Sequence, residues 1–378
     1  MKLVKKALIT FFKVIGILLL LGLVAGLVFI NTSPEFGGVP SQNKMETYKK
    51  SGHFDGEVFV NDQLTTLDIS FSDMIDLISD LINGKPNLRP GFEIPVLKVA
   101  TQELKANNSS KLIWFGHSAF LLQMDGKNIL LDPMFGEVPA PSPYLGQKRY
   151  FSNLPIEVED LPMIDAVVIS HDHYDHLDYG SIQKLKSKTN MFFVPLGVGA
   201  HFMEWGINES QITEMNWWET NRLDNMEFSF TPSRHFSGRG LTDRNTTLWG
   251  SWVIKGKNEN LFFSGDGGYG PHFKKIGEKF GPFDLALIEC GQYNEKWSQI
   301  HMMPEQSAQA GLDLKAMFIM PIHWGAFTLA MHSWTDPVIR IKVKAEELGI
   351  PIITPKIGGQ IEIKALDNPK YQKEWWVN

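Results

Sequence analysis

Three histidines and three aspartates lie within a short stretch of the chain, at residues 171–178, directly after an apolar stretch at 166–170. A strand over 166–170 would deliver these side chains to its end, where a tight loop turns several donors inward. Neutral imidazole and carboxylate together suit zinc or a neighbouring first-row metal. The pattern therefore predicts a metal site. The alternative is a polar surface loop that happens to be rich in histidine.

Three further ligand candidates share one position in the chain, since each follows an apolar stretch and precedes a loop. They are His235, Asp266 and His323. If these stretches end at one edge of a sheet, Asp266 bridges two metal positions, held by His171, His173 and His235 and by Asp175, His176 and His323. Two metals that share an aspartate and a hydroxide activate water and clamp a phosphoryl or acyl centre under attack.

Each of these three residues, taken alone, is also compatible with a structural role. A single histidine at a strand end is more often a core or surface histidine, and Asp266, between Gly265 and Gly267, could be a turn residue. The neighbouring glycines do not have the spacing of a dinucleotide-binding fingerprint. The metal site is therefore predicted from the four segments together.

Short strands separated by turns are the elements that must position these residues. Strands are predicted at 112–114, 119–124, 128–131, 166–170, 191–194, 227–231, 248–254, 261–264, 285–289 and 316–320. Helices are predicted at 181–188, 271–280, 304–311 and 337–348. Strand pairs that alternate with helices indicate an α/β (α+β) fold, in which two sheets pack face to face and are covered by helices.

The composition limits which partners the protein can bind and which atoms can hold a metal. The chain has 378 residues, 43% of them hydrophobic, with 36 basic and 42 acidic side chains and a formal charge of -6. Nucleic acid is a poor candidate partner, because following a phosphate backbone needs concentrated positive charge. Cys290 is the single cysteine, so an intramolecular disulfide is excluded. Any metal is then held by nitrogen and oxygen, unless Cys290 itself contributes.

The first thirty residues form a separate unit. Four lysines at positions 2, 5, 6 and 13 precede an uninterrupted apolar run at 14–30. A helix of that length spans roughly 25 Å, slightly less than a bilayer core, and extension back to residue 7 makes up the difference. We expect an uncleaved membrane anchor with the amino terminus in the cytoplasm and the catalytic domain on the outer, periplasmic or extracytoplasmic side. The alternative is a cleaved signal peptide, whose apolar core is usually shorter.

Two more segments lie between this unit and the main domain. Residues 33–43 are rich in proline, glycine and serine and predict a linker leaving the membrane. Residues 73–82 place apolar side chains at helical spacing. We expect this helix to pack on the main core. The alternative is an amphipathic helix at the bilayer surface that shapes access to the site, although its three aspartates disfavour anionic lipid.

The spacing at 171–176, His-x-His-x-Asp-His, resembles the signature of the metallo-β-lactamase superfamily. Over roughly residues 111–327 the chain resembles the N-acyl-phosphatidylethanolamine phospholipase D branch of that superfamily. The segments that carry this second resemblance are WFGHS at 114–118, LDPMF at 131–135, SPYLGQKR at 142–149, LWGSW at 248–252, GPFDL at 281–285 and IHWG at 322–325.

The resemblance implies a four-layer αβ/βα sandwich, hydrolysis of a phosphodiester or related ester, and two zinc ions, with iron or manganese as alternatives, in the ligand sets given above. Together with the apolar run and the linker, it leads us to expect a membrane anchor at 1–32, a linker and N-terminal helical extension at 33–110, the hydrolase domain at 111–365 and a C-terminal tail at 366–378. Three positions depart from the family pattern and leave the substrate open: Asp172 stands where asparagine is usual, Gly267 replaces a threonine, and Glu289-Cys290 occupies an apolar stretch.

Several other residues are expected to act at the site, His301 through the resemblance and the others through the chemistry of their side chains. His301 matches a substrate-facing histidine, which we expect to contact phosphate or protonate the leaving group; a surface histidine opening a helix is the alternative. Asp132 fits a carboxylate that orients a ligating imidazole, or else a plain turn residue before Pro133. The residues expected to contact substrate, with solvated loop residues as the alternative for the last three, are His117, Tyr144, Lys148 and Arg149.

We therefore expect a membrane-anchored di-zinc hydrolase, a phosphodiesterase of phospholipase D type that acts on N-acyl-phosphatidylethanolamine or a related phospholipid. Asp175, Asp266 and His301 are its expected catalytic residues, and a homodimer is left open. The alternative activity is hydrolysis of a lactone or ester in a small soluble substrate. Oxygen or nitric oxide reduction at a di-iron site is disfavoured, because those relatives place a glutamate where His173 stands. A membrane-tethered binding protein with a vestigial site would have lost ligands, and all seven are present.

Overall fold

The computed structural model describes residues 2–66, 70–105 and 109–377. Its helices are α1 (Lys2–Thr32), α2 (Gln42–Tyr48), α3 (Phe71–Asn83), α4 (Thr101–Lys105), α5 (Tyr179–Leu185), α6 (Gly199–Glu204), α7 (His272–Phe280), α8 (Pro304–Asp313) and α9 (Asp336–Leu348). Its strands are β1 (Lys111–Trp114), β2 (Phe120–Met124), β3 (Lys127–Leu131), β4 (Ile164–Val168), β5 (Thr189–Pro195), β6 (Ile212–Met215), β7 (Thr220–Leu223), β8 (Met226–Thr231), β9 (Ser251–Lys255), β10 (Asn260–Phe263), β11 (Leu285–Glu289), β12 (Ile319–Ile322) and β13 (Gln360–Glu362).

The described strands form two sheets. The first has the order β13-β1-β2-β3-β4-β5-β6, and its strands β3 to β6 are parallel. The second has the order β12-β11-β10-β9-β8-β7, and its strands β10 to β12 are parallel. The remaining neighbours are antiparallel. Each sheet therefore combines hairpins with crossovers that leave room for a covering helix.

Alternation along the strands divides the buried side chains between two cores. In β2, Phe120 and Leu122 belong to the core that also contains Trp252 of the second sheet. Leu121, which points to the opposite face, belongs to a second core together with Phe202 of α6. The first sheet thus packs against the second sheet on one face and against helices on the other, which is half of a four-layer sandwich.

The two-sheet architecture covered by helices confirms the predicted fold class. The sequence pattern misses β6, β7 and β13, which are short; every residue of β7 except Leu223 is exposed. Strand β12 begins at Ile319 rather than at residue 316, because Ala316 forms only an isolated bridge, with Phe283.

Helix α1 is long and apolar enough to cross a membrane by length and composition, with a mean hydropathy of 2.7 over its most apolar window. A signal sequence passes the same test, so its role as an anchor stays a prediction.

Helix α3 begins with a capping box in which Ser70 and Asp73 exchange hydrogen bonds, and this confirms the helix predicted at 73–82. The side chains of residues 77, 78, 81 and 82, most of its apolar face, lie outside the described part of the chain. The choice between the core and the bilayer surface therefore stays open.

Candidate metal centre

All the predicted metal ligands lie in loops at one edge of the two sheets. Strands β4, β8, β10 and β12 end directly before the loops that carry them. Parallel neighbours such as β10, β11 and β12 bring their carboxyl ends to the same edge, where α/β proteins place their sites. The convergence predicted from the four segments is therefore present.

The first ligand set surrounds His173. Its Nδ1 atom lies 2.9 Å from Nε2 of His171 and 3.3 Å from Nε2 of His235. Burial, followed by the repulsion of neighbouring imidazoles, lowers the pKa of His171 and His235 well below the usual value, so both rings are neutral. Neutral imidazoles whose nitrogens face one point are suited to share a cation.

The second set meets the first at Asp266. Oδ2 of Asp266 lies 3.1 Å from Nε2 of His176 and 3.2 Å from Nε2 of His323, and it is 3.9 Å from Nε2 of His171. Oδ2 of Asp175 lies 3.0 Å from the same nitrogen of His323. One carboxylate thus stands between both groups of donors, the position required of a bridging ligand.

Two observations show that the residues of this site fit divalent metal ions. Nε2 of His176 and Oδ1 of Asp266 are buried and make no hydrogen bond, which is costly unless another partner is supplied. Burial opposes charge on His176, but the carboxylates of Asp266 and Asp175 raise its pKa well above the usual value. The negative field that would hold a proton there would equally hold a metal cation.

Hydrogen bonds on the far side of the imidazoles fix which nitrogen faces the centre. Asp132 is fully buried, and its Oδ2 accepts a hydrogen bond of 2.7 Å from Nδ1 of His176 and one of 2.5 Å from Oγ of Ser170. Oγ of Ser170 in turn lies 2.9 Å from Nδ1 of His171. These are the contacts that the orienting role predicted for Asp132 requires. They leave Nε2 of both histidines free for a metal.

The backbone orients a third ligand in the same way. Nδ1 of His235 lies 2.9 Å from the carbonyl oxygen of Ile300, which can only accept, so this nitrogen carries the proton. No pattern in either segment indicates this contact, because it joins residues far apart in the chain.

His117 lies beside the second ligand set. It is buried, and its Nε2 lies 2.8 Å from Oδ2 of Asp175. Burial lowers the pKa of His117 to about 3, so it meets Asp175 as a neutral donor. We predicted His117 as a substrate contact. It is not in the described lining of the cavity that holds His301, and a ring nitrogen of His117 lies within 4.8 Å of the donor atoms of Asp175, His176 and His323.

The backbone at the site adopts left-handed conformations that side chains normally avoid. The φ angles are 55° at His117, 36° at Asp132 and 65° at His323. Such conformations cost energy and persist where the surroundings enforce them. Gly265, before Asp266, has φ of 56°, and a Cβ atom there would stand 2.5 Å from Cβ of Ser170. Glycine therefore lets Asp266 approach the metal loop.

His301 contacts Glu289, a buried carboxylate to which no role was assigned from the sequence. Oε1 of Glu289 lies 2.8 Å from Nδ1 of His301, and Oε2 accepts a hydrogen bond of 2.8 Å from the backbone N–H of Gly267. Burial would lower the pKa of His301, but the charge and hydrogen bond of Glu289 raise it. Only the departure of Glu289-Cys290 from the family pattern drew attention to this position.

Four of the seven predicted ligands line a cavity of about 270 Å³. Its polar lining includes His173, Asp175, Asp266, His301 and His323, and its apolar lining includes Phe236, Trp297, Ile300 and Leu329. His301 and the bridging Asp266 therefore face the same small space. A cavity lined by both polar and apolar side chains suits a charged or polar group carried on an apolar substrate.

The other three predicted substrate contacts lie elsewhere. Tyr144 is 93% exposed, and Lys148 forms an exposed ion pair with Glu137. The guanidinium of Arg149 is buried and donates to the backbone carbonyls of Met134 and Gly136. None of the three belongs to the described lining of the 270 Å³ cavity. Arg149 is a structural cation for the 134–136 loop, a role that its charge alone did not reveal.

Comparison with known proteins gives a consistent assignment. The family described as Beta-lactamase superfamily domain matches residues 127–324. An uncharacterized protein of Mycobacterium tuberculosis is 36% identical over 92% of this chain and 93% of that protein. The N-acyl-phosphatidylethanolamine-hydrolyzing phospholipase D 1 of Caenorhabditis elegans is 33% identical over 68% of this chain and 74% of that protein.

A solved structure supports the fold. The isothiocyanate hydrolase from Delia radicum gut bacteria superposes with a TM-score of 0.53 and 22% identity, over 66% of this chain and 98% of that protein. The two sheets, the convergent donors and the family match agree: the chain belongs to the metallo-β-lactamase superfamily of metal-dependent hydrolases.

Proposed function

We propose that the protein is a membrane-anchored phosphodiesterase of the phospholipase D type, acting on N-acyl-phosphatidylethanolamine or a related phospholipid. The observation that carries this proposal is that His301 and Asp266, the proposed bridging ligand, line one small cavity together with apolar side chains. The similarity to the C. elegans phospholipase D supports the substrate class.

The chain's own residues divide the work of such a reaction. His171, His173 and His235 would hold one metal, Asp175, His176 and His323 the other, and Asp266 both. Bound divalent metals, zinc being our expectation, would supply Lewis acidity and a nucleophile from water near neutral pH. Carboxylates that accept hydrogen bonds from the ligating histidines, such as Asp132, orient these rings before substrate arrives.

His301 is placed to complete the reaction. Its Nδ1–H donates to Glu289, so Nε2 is the nitrogen that can face the bound substrate. A protonated Nε2 would first bind a phosphoryl oxygen or the leaving oxygen and then transfer its proton to the departing alkoxide. The apolar side chains of Phe236 and Leu329, which line the same cavity, would limit the access of water at that step.

Product analysis tests the proposal. Full-length protein loaded with zinc is incubated with vesicles containing N-acyl-phosphatidylethanolamine, and lipids are followed by mass spectrometry. Phosphatidic acid and N-acylethanolamine are expected from the native chain and not from Asp266→Asn. Release of fatty acid, or no lipid product from a metal-loaded protein, would refute a phospholipase D activity.

A second activity is favoured by the size of the cavity. About 270 Å³ falls below the range of roughly 300–1,000 Å³ typical of sites for drug-sized ligands. Such a space suits a small soluble lactone or ester as well as a lipid head group. Opening of soluble lactones without turnover of vesicle lipid would select this alternative.

A further inference from the structure

Residues 33–38, directly after α1, lie against the catalytic domain, and we call them the juxtamembrane segment. The indole N–H of Trp205 donates to the carbonyl of Pro34 at 2.7 Å, and Nε of Arg239 donates to the carbonyl of Glu35 at 2.7 Å. The N–H of Gly38 donates to Nδ1 of His201 at 3.1 Å. Its composition predicted a linker, whereas three hydrogen bonds fix it to the domain.

The juxtamembrane segment packs tightly against α6. A Cβ atom on Gly38 would stand 2.5 Å from the carbonyl oxygen of Ala200, and one on Gly37 would stand 2.2 Å from Nδ1 of His201. The two glycines therefore let the backbone approach α6 closely. This is a packed contact, and it leaves little freedom between the end of α1 and the domain.

The same contact reaches the metal loop. Nη1 of Arg239, a buried side chain, donates to the carbonyls of Asp172 and Leu177 at 2.6 and 2.8 Å. The predicted ligands His173, Asp175 and His176 lie between these two residues in the chain. The ring of Phe36 lies 6.4 Å from that of Tyr174 and 5.5 Å from that of Phe29 in α1. An unbroken line of rings thus joins the helix to the metal-binding motif.

Exposed apolar side chains gather around this segment. Among the described residues outside α1, four large hydrophobic side chains are more than 80% exposed: Val39, Leu64, Tyr144 and Leu241. Val39 follows the segment directly, and Leu241 lies two residues after Arg239. Tyr144 follows Pro143, which lines a cavity of about 470 Å³ together with Glu35. Single exposed apolar residues are common and need no explanation, but these three are all sequence neighbours of residues that belong to, contact or share a cavity with one short segment.

We propose that Val39, Tyr144 and Leu241, which we call the apolar rim, rest in the interface of the lipid bilayer that α1 crosses. The proposal rests on the anchoring part of the proposed function. Helix α1 ends at Thr32, and the three residues to Glu35 span at most about 11 Å. The interfacial layer on each side of a bilayer is about 5–8 Å thick, so loops that contact Glu35 are within reach of lipid. Tyrosine is also a residue that membrane interfaces favour.

This arrangement would hold the metal centre at a fixed orientation beside the bilayer. Phe236, which lines the catalytic cavity, and Leu241 of the apolar rim belong to one loop with Arg239 between them. A substrate drawn from the membrane would then have a short path to the metals. A domain on a flexible linker would have no such orientation.

Site-directed fluorescence tests the proposal, since Cys290, the single native cysteine, is fully buried. Full-length variants Y144C and L241C, labelled with a fluorophore, are reconstituted in phosphatidylcholine vesicles with or without brominated lipid. L19C in α1 is the positive control. M317C is the negative control, because exposed Met317 precedes β12 and so lies at the opposite edge of the sheet from His323.

Quenching by brominated lipid is expected at 19, 144 and 241 and not at 317. Quenching at 19 alone would overturn the apolar rim while leaving the anchor intact. Absence of quenching at 19 would overturn the anchor and the apolar rim together, whatever the enzyme hydrolyses. Self-quenching at 144 and 241 that depends on protein density, and not on bromine, would assign the surface to a second copy of the chain and refute the proposal.

Discussion

Nδ1 of His301 lies 2.8 Å from Oε1 of Glu289, a carboxylate with no exposure to solvent. A buried carboxylate is costly unless it is paired and hydrogen-bonded, and this one is satisfied on both oxygens, by His301 and by the N–H of Gly267. Glu289 therefore holds the imidazole of His301 with one oxygen and Gly267, the residue after Asp266, with the other. A single side chain outside the His-x-His-x-Asp-His motif links the candidate acid to the metal bridge.

Replacement of Glu289 by glutamine should impair protonation of the leaving group. The amide can accept one hydrogen bond from His301, but it no longer supplies the charge that favours the imidazolium. General acid catalysis contributes about 10²–10⁴-fold, so we expect kcat for diesters with an alkyl leaving group to fall by about 10²-fold. Nitrophenyl esters, whose leaving group needs no proton, should change little. Steady-state kinetics on both substrates and metal analysis of both proteins measure this.

The matched control for that experiment is Glu278→Gln, the same change at an exposed position of α7. Glu289→Gln should also have no further effect on kcat in a His301→Asn background, because the two residues act as one unit. Equal losses for alkyl and nitrophenyl substrates would contradict the role of Glu289 in proton transfer.

Removal of the carboxylate of Asp266, the proposed bridging ligand, should deplete the centre of metal without unfolding the chain. Oδ2 of Asp266 is the atom shared by His176 and His323, so Asp266→Ala should lose hydrolysis and retain less than half of the bound metal. Plasma mass spectrometry of protein purified without added zinc measures the metal, and circular dichroism the fold. Asp367→Ala, at an exposed position, is the control. Full metal content in the Asp266 variant would remove it from the ligand set.

The ligands could be predicted from sequence because each is governed by a local rule. An apolar strand that ends in a histidine or aspartate places that residue at a sheet edge, and this holds separately for His235, Asp266 and His323. The Glu289–His301 contact obeys no such rule. It depends on where β11 ends and on how the following loop returns, so no pattern in either segment indicates it.

Charge and composition predicted the roles of residues less well than position at the end of a strand did. Arg149 was predicted to contact substrate because of its charge, yet burial against the carbonyls of Met134 and Gly136 is decided by tertiary packing. Likewise, Gly37 and Gly38 suggest a flexible linker, but the same residues permit close approach to Ala200. Local sequence does not distinguish a glycine that makes the backbone flexible from one that lets another segment approach closely.

Substitution of Asp132 by asparagine should weaken metal binding while leaving every predicted ligand in place. An amide can turn its NH₂ group toward Nδ1 of His176, so the ring would lose the acceptor that keeps Nε2 free. Loss of such an orienting carboxylate costs about 10–100-fold in metal affinity. Competition with a chromophoric zinc chelator measures this. Unchanged affinity would mean that Asp132 does not orient the ring of His176.

The buried His272, at the start of α7 and away from the metal ligands, should make stability depend on pH. Burial, with the nearby charges of Arg234 and Lys275, lowers the pKa of His272 to about 3, whereas the unfolded chain has the ordinary value of about 6.5. Between these values the unfolded state binds a proton that the folded state refuses, so stability falls as pH drops below about 6.5. By pH 5 this one residue should have cost about 2 kcal/mol. Unfolding in denaturant at pH 7.5 and pH 5 should therefore show a smaller loss for His272→Gln than for the native chain. Because both proteins carry the same metal site, acid release of metal cancels in the comparison, and an identical pH dependence would show that His272 is protonated in the folded protein.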